Sequence, residues 1–187
     1  MVILSSYFSF VENFKNYPMK KIVLTFGLII GTILCANMIV MVNMMYGDTV
    51  FKGNDIVGYT ALIVLFSLIF FGVRNYRNKQ LNGAISFGRA FKIGALIAFV
   101  ASTMYVVIWL FYYYLFVPDF IDVYTAHVLQ TCTTPEELAI RTREMADFKE
   151  MYKNPLFVIL VTYSEVLPIG LAVALLSALF LKKKENS

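Results

Sequence analysis

Charged residues are scarce in this chain, and residues that build metal or nucleophilic sites are scarcer still. Only 15% of the 187 residues are charged, and the chain has two cysteines and one histidine. His127 and Cys132 lie close together in sequence, but a tetrahedral metal site needs more such ligands than the chain supplies near them. Phosphate-binding, dinucleotide-binding and H-E-x-x-H motifs are absent as well. We therefore expect no bound metal, no cofactor and no enzymatic activity.

Hydrophobic residues account for 59% of the chain, and many of them lie in long uninterrupted runs. About 20 apolar residues in a helix, rising about 1.5 Å each, cross the hydrocarbon core of a bilayer. The runs at or near this length are Ile22–Met45, Ile56–Val73, Gly94–Val117 and Leu156–Leu181. The sequence therefore predicts an all-α, polytopic membrane protein with four transmembrane helices, over about 22–45, 56–73, 94–117 and 156–181.

The charged residues between the runs predict the orientation in the membrane. The loop between the second and third runs contains bases without any acid: Arg74, Arg77, Lys79, Arg89 and Lys92. The loop between the third and fourth runs contains seven acids and four bases. Since basic loops stay on the cytoplasmic side during insertion, we expect a multi-pass protein of the cell inner membrane with both termini in the cytoplasm. Anionic lipid headgroups are the expected partners of this basic loop, and nucleic acid is not.

The remaining segments complete the predicted organisation. Thr134 and Glu137 have capping-box spacing, so an amphipathic extracytoplasmic helix is expected over about 135–153. Residues 1–18 form a cytoplasmic extension, with apolar residues at the spacing of an interfacial helix. We expect 19–184 to form a single four-helix transmembrane domain and 185–187 to form a tail.

Two further patterns predict depth and packing. Trp109 and the three tyrosines of 112–114 lie near the outer end of the third run, where they are typical of an anchoring belt at the headgroups. Gly27 and Gly31 form a small-xxx-small pair, which allows another helix to approach the first one closely.

Glu165 is the one acidic or basic residue (Asp, Glu, Lys, Arg or His) inside the four runs. It lies nine residues after Leu156, or about 13 Å below the outer boundary at about 1.5 Å per residue. A charged carboxylate at such depth costs on the order of 2.5–3.5 kcal/mol on insertion scales. Pro168 follows three residues later and cannot donate a hydrogen bond to the Ser164 carbonyl, so a kink is expected there.

Depth matching suggests the neighbours of Glu165. Asn37 in the first run and Tyr105 in the third lie at nearly the same level, so Glu165, Asn37, Tyr105 and Pro168 form a candidate intramembrane polar site. Two interpretations remain open. A hydrogen bond from Asn37 or Tyr105 to a neutral Glu165 would make the site a structural tie, whereas access to water would make it a proton- or ion-linked site.

Four segments resemble a known family: MKKIVLTFGLI from Met19, FFGVRNYR from Phe70, ISFGRAFKIG from Ile85 and FKEMYKNPL from Phe148. They are similar to a family of bacterial four-span membrane proteins catalogued as domain of unknown function 4199, and the likeness extends from Met19 to about Lys184. The resemblance implies a bacterial inner-membrane protein with four helices and supplies no activity. We expect a non-enzymatic accessory or interaction protein that contacts a membrane protein partner or a second copy of itself. The alternative is a small oligomeric transporter or proton-linked channel centred on Glu165.

Overall fold

The computed structural model describes the backbone of residues 2–47 and 55–183, and the side chains of 19–47 and 58–183. These residues form helices and no strand, apart from an isolated antiparallel bridge between Ile85 and Lys183. In chain order the helices are α1 (Val2–Gly47), α2 (Asp55–Phe66), α3 (Leu68–Gln80), α4 (Phe87–Phe116), α5 (Phe120–Gln130), α6 (Pro135–Tyr152) and α7 (Pro155–Leu181).

Four stretches are long and apolar enough to cross a membrane, which confirms the predicted fold class. They are Met19–Gly47, Gly58–Gln80, Phe87–Phe116 and Pro155–Leu181. Three of them extend beyond the predicted runs because the helices continue through charged or polar flanks, where side chains can reach the headgroups. Large apolar side chains point outward along the spans, as at Phe111, which is 60% exposed, and Phe180, which is 77% exposed. Such a surface suits contact with lipid.

The second span is one stretch of membrane-spanning length, Gly58–Gln80, as predicted, and α2 and α3 meet within it at Ser67. The junction is Ser67, whose hydroxyl donates to the Val64 carbonyl at 2.6 Å. Its backbone N–H lies 2.9 Å from the Ile63 carbonyl and 3.2 Å from the Val64 carbonyl. Serine hydroxyls that bond to the preceding turn compete with the helical pattern and bend helices. The hydrophobic run carries no other signal of this interruption.

Helix α4 is the centre of the bundle and makes its most extensive contacts with α7 and α1. Small residues allow the close approach: a Cβ atom added at Gly27 would lie 2.6 Å from Val100 Cγ1, and one added at Gly31 would lie 2.9 Å from Met104 Sδ. The predicted packing role of this glycine pair is thus confirmed. Gly170 of α7 lies equally close to Ala98 of α4.

We call the end of the bundle where α3 ends, α4 begins and α7 ends the basic end, and the opposite end, which carries α5 and α6, the capped end. The predicted helix over 135–153 is confirmed as α6. The Thr134 hydroxyl accepts a hydrogen bond from the Glu137 N–H at 3.2 Å, while the Glu137 carboxylate accepts one from the Thr133 N–H at 3.1 Å. An ion pair between Lys149 and Asp122 joins α6 to α5.

Helix α5 was not predicted. Its residues follow Pro118 and mix apolar, acidic and hydroxyl side chains without the length of a span. Contacts with α1 hold it in place: Tyr46 donates to Asp119 Oδ1 at 2.8 Å, and His127 Nε2 lies 3.1 Å from the Met45 carbonyl oxygen. These contacts connect residues more than 70 positions apart, so no local pattern reveals them.

Helix α1 runs without interruption from residues 2–18 into the first span. The side chains of the N-terminal extension and the tail 185–187 lie outside the described residues. The interfacial position of residues 1–18 and the single-domain boundary at 19–184 stay predictions.

Candidate functional site

A cavity of about 370 Å³ lies among the helices in the half of the bundle nearer the capped end. Its wall comes from α1, α2, α4 and α7, and residues of α5 and α6 contribute from the capped end. The lining side chains are Asn37, Met38, Met41, Val42, Tyr59, Leu62, Tyr105, Trp109, Phe120, Ile121, Tyr124, Phe148, Tyr152, Thr162, Glu165 and Val166.

Three of the four residues in the predicted polar site line this cavity together. Asn37 comes from α1, Tyr105 from α4 and Glu165 from α7. They meet because α1 and α7 pack on α4 and their polar residues share one level. Asn37 and Glu165 are exposed, whereas Tyr105 is half-buried. The cavity is therefore not sealed within the protein.

The hydrogen-bonded tie expected as one interpretation is not formed. Among the hydrogen bonds of the described residues, none joins Glu165 to Asn37 or Tyr105. None of the salt bridges among the described residues includes Glu165. Glu165 therefore lines the cavity without a hydrogen bond or ion pair to another side chain of the described residues.

Pro168 has a different place. It lies inside α7, which continues from Pro155 to Leu181, and it is not part of the cavity wall. It provides no N–H for the Ser164 carbonyl, one turn earlier. Its effect on the site is confined to the backbone next to Glu165.

The rest of the wall is aromatic. Trp109 Nε1 donates to the Tyr152 hydroxyl at 2.9 Å, and both side chains are only 6% exposed. The Phe120 ring meets Trp109 edge-on at 4.8 Å, and the Phe148 ring lies 5.2 Å from that of Tyr152. Because Trp109 is buried in this cluster, its interpretation as a membrane anchor was wrong. Tyr114, at 45% exposure, retains the position expected of one.

Burial raises the pKa of Tyr152 above its ordinary value. The hydrogen bond from Trp109 partly offsets this, and the charge of nearby Glu165 raises the pKa again. A tyrosine is already protonated near neutral pH, and the raised pKa extends this neutral state to more alkaline pH. Sequence reasoning missed Tyr152 and Phe148 as parts of the site, although both lie in the amphipathic helix predicted over about 135–153.

The basic loop lies at the opposite end of the molecule. Arg74, Lys79 and Lys92 are exposed. Arg77 Nη1 donates to the Leu181 carbonyl at 3.2 Å, and Arg89 Nη2 donates to the Tyr76 hydroxyl at 2.9 Å. Within the described residues, no three histidine, cysteine or acidic side chains gather where they could hold a metal ion.

Four helices of membrane-spanning length and composition around a polar cavity define the chain as a polytopic helical membrane protein. The family model described as protein of unknown function (DUF4199) matches residues 25–183. The chain belongs to this family, which confirms the resemblance of its four segments. No curated protein and no solved structure matches the chain. The family description gives no activity, and the cavity is the feature of this chain that suggests a function.

Proposed function

We propose that this protein is a non-enzymatic accessory protein of the bacterial inner membrane that binds a small organic cation in the cavity beside Glu165. The observation that carries the proposal is that Glu165 is exposed to an open cavity from within an apolar span. An unpaired carboxylate at that depth is costly, and a bound cation would remove the cost.

The composition of the wall supports a cation with apolar substituents. Tyr59, Tyr105, Trp109, Phe120, Tyr124, Phe148 and Tyr152 provide aromatic rings. Aromatic faces attract organic cations, most strongly when water is excluded. The volume falls in the range of about 300–1,000 Å³ that is usual for small-molecule sites.

The polar groups of the wall favour binding over catalysis. Besides Glu165, the described lining contributes the Asn37 amide and the hydroxyls of Thr162 and several tyrosines. None of these lining residues is a histidine, a lysine, a cysteine or a second carboxylate. Amides and hydroxyls orient a ligand through hydrogen bonds, whereas acid–base chemistry near neutral pH is usually carried by the missing types.

Fluorescence of Trp109 provides a direct test, because it is the chain's one tryptophan and lines the cavity. We expect tetraphenylphosphonium to change this fluorescence in lipid nanodiscs, and tetraphenylborate, its anion of similar shape, to bind far more weakly. Glu165→Gln should weaken cation binding about tenfold or more, since even a screened charge pair at close range exceeds about 1.4 kcal/mol.

The matched control for this experiment is Ser164→Ala. Ser164 is exposed next to Glu165, bonds to the Val161 carbonyl at 2.7 Å and is not part of the cavity wall. Wild-type affinity in this variant is expected. Equal affinity of wild type and Glu165→Gln, or binding of the anion as tight as that of the cation, would contradict the proposal.

A proton-linked transporter or channel is the second candidate, favoured by the same exposure of Glu165. A carboxylate that water can reach and that has no ion pair among the described residues can exchange protons. Proteoliposomes with an imposed pH gradient separate the two functions. Proton flux that disappears in Glu165→Gln indicates transport. Cation binding without proton flux supports the binding function and contradicts transport.

A further inference from the structure

A second cavity, of about 830 Å³, lies at the basic end of the bundle. We call it the basic groove. It lies between the turn that connects α3 to α4 and the residues that follow α7, and its charged lining residues are Arg89, Lys182 and Lys183. No carboxylate is among its lining residues, and the sequence from 56 to 118 contains no acid.

Backbone contacts hold the two sides of the basic groove together. The Ile85 N–H donates to the Lys183 carbonyl at 3.0 Å, and the Lys183 N–H donates to the Ile85 carbonyl at 2.9 Å. The hydrogen bond from Arg77 to the Leu181 carbonyl adds a third connection one turn away. The positions of Lys182 and Lys183 relative to α4 are therefore set by main-chain atoms and do not depend on their own side chains.

Arg89 is held in place by an aromatic neighbour. Its guanidinium donates to the Tyr76 hydroxyl, and its central carbon lies 5.5 Å from the centre of the Tyr76 ring. A guanidinium has five N–H donors, and this hydrogen bond uses one of them. The others remain available to an anion, and the arginine is already restrained in the position where it would meet one.

We infer that the basic groove binds the phosphate of an anionic phospholipid. Three positive charges converge there, and none of the described residues that line the groove is a carboxylate. Phosphate is the anion that guanidinium and ammonium groups bind best at a membrane surface. The basic groove lies where three spans end, which is the level of the headgroups. Exposed Phe180 and Phe87, at 77% and 38%, provide apolar surface next to it for the acyl chains.

Native mass spectrometry of the detergent-purified full chain, titrated with phosphatidylglycerol and with phosphatidylcholine, tests the inference. We expect wild type to bind phosphatidylglycerol more tightly than phosphatidylcholine, and Lys182→Gln with Lys183→Gln to weaken phosphatidylglycerol binding by about thirtyfold. Both lysines are exposed and the bridge uses backbone atoms, so the double variant should fold, as its thermal unfolding will show.

The matched control is Arg143→Gln with Lys153→Gln, which removes the same charge from exposed positions at the capped end, outside the basic groove. It should keep the wild-type affinity for phosphatidylglycerol. Equal losses in the two double variants, or equal binding of both lipids by wild type, would overturn the inference. Displacement of phosphatidylglycerol by inorganic phosphate would overturn the lipid assignment in favour of a soluble phosphate, and persistence of the bound lipid supports it.

Discussion

The hydrogen bond between Trp109 and Tyr152 shows how one contact connects the site to the capped end. Trp109 lies on α4 and Tyr152 is the last residue of α6, and both are buried. Tyr152→Phe would leave the indole N–H without its partner, which costs about 1–3 kcal/mol at a buried position. We expect a lower thermal unfolding temperature for this variant, measured in detergent by circular dichroism.

Tyr114→Phe is the control for that prediction, because Tyr114 is 45% exposed and removing its hydroxyl strands no buried group. Its unfolding temperature should equal that of wild type. Identical stability of Tyr152→Phe and wild type would contradict the role assigned to this hydrogen bond.

At the residue scale, the sequence indicated the polar part of the site but not its aromatic part. Depth along a helix can be counted from the ends of an apolar run, so Asn37 and Tyr105 could be placed at the level of Glu165. Phe120 and Tyr152 could not be placed, because their positions depend on how α5 and α6 fold back onto the bundle. Whether the polar residues form a functional site stays a prediction.

At the scale of the elements, close contact between α4 and α7 depends on Gly170. A Cβ atom there would lie 2.8 Å from Ala98 Cβ and 2.9 Å from Phe66 Cε1. Ala98 has no flexible side chain that could move aside, so Gly170→Ala should destabilise the bundle by about 1–3 kcal/mol. Its thermal unfolding in detergent should occur at a clearly lower temperature than that of wild type.

Gly88 offers the matched comparison. It lies in the first turn of α4, and a Cβ atom added there meets nothing within 4 Å. Since alanine is a better helix former than glycine, Gly88→Ala should unfold at the wild-type temperature or slightly above it. The same loss of stability in both variants would show that packing against Ala98 is not what makes Gly170 necessary.

The helices that local sequence patterns mark were predicted, and those that depend on contacts between distant residues were not. Apolar length identified the four spans, and the capping residue Thr134 marked the start of α6, where its side chain accepts a backbone hydrogen bond. In the structure Asn154 caps α7 in the same way. Helix α5 was missed, because its position depends on contacts with α6 and α1, which no local pattern reveals.

At the scale of the whole molecule, the fold separates the charges between its two ends. The basic end carries Lys20 and Lys21 besides the bases of the α3–α4 region and α7, whereas the capped end holds the acidic side chains of α5 and α6. The orientation predicted from the loops, with the basic end in the cytoplasm, is based on these same charges and stays a prediction. The same orientation would place the opening of the cavity nearer the outer surface and the basic groove at the inner leaflet.

The two native cysteines provide a test of this orientation. Cys132 lies at the capped end and is partly exposed, whereas Cys35 is 6% exposed inside the first span. A membrane-impermeant maleimide should therefore label Cys132 in intact spheroplasts, and Cys132→Ser should abolish the labelling. Adding Ser86→Cys to that variant places a thiol at the exposed start of α4 at the basic end, where labelling should require permeabilised membranes. An uneven charge distribution is expected to face its positive end toward the cytoplasm. The reverse pattern, with position 86 labelled in intact spheroplasts and Cys132 protected, would contradict this orientation.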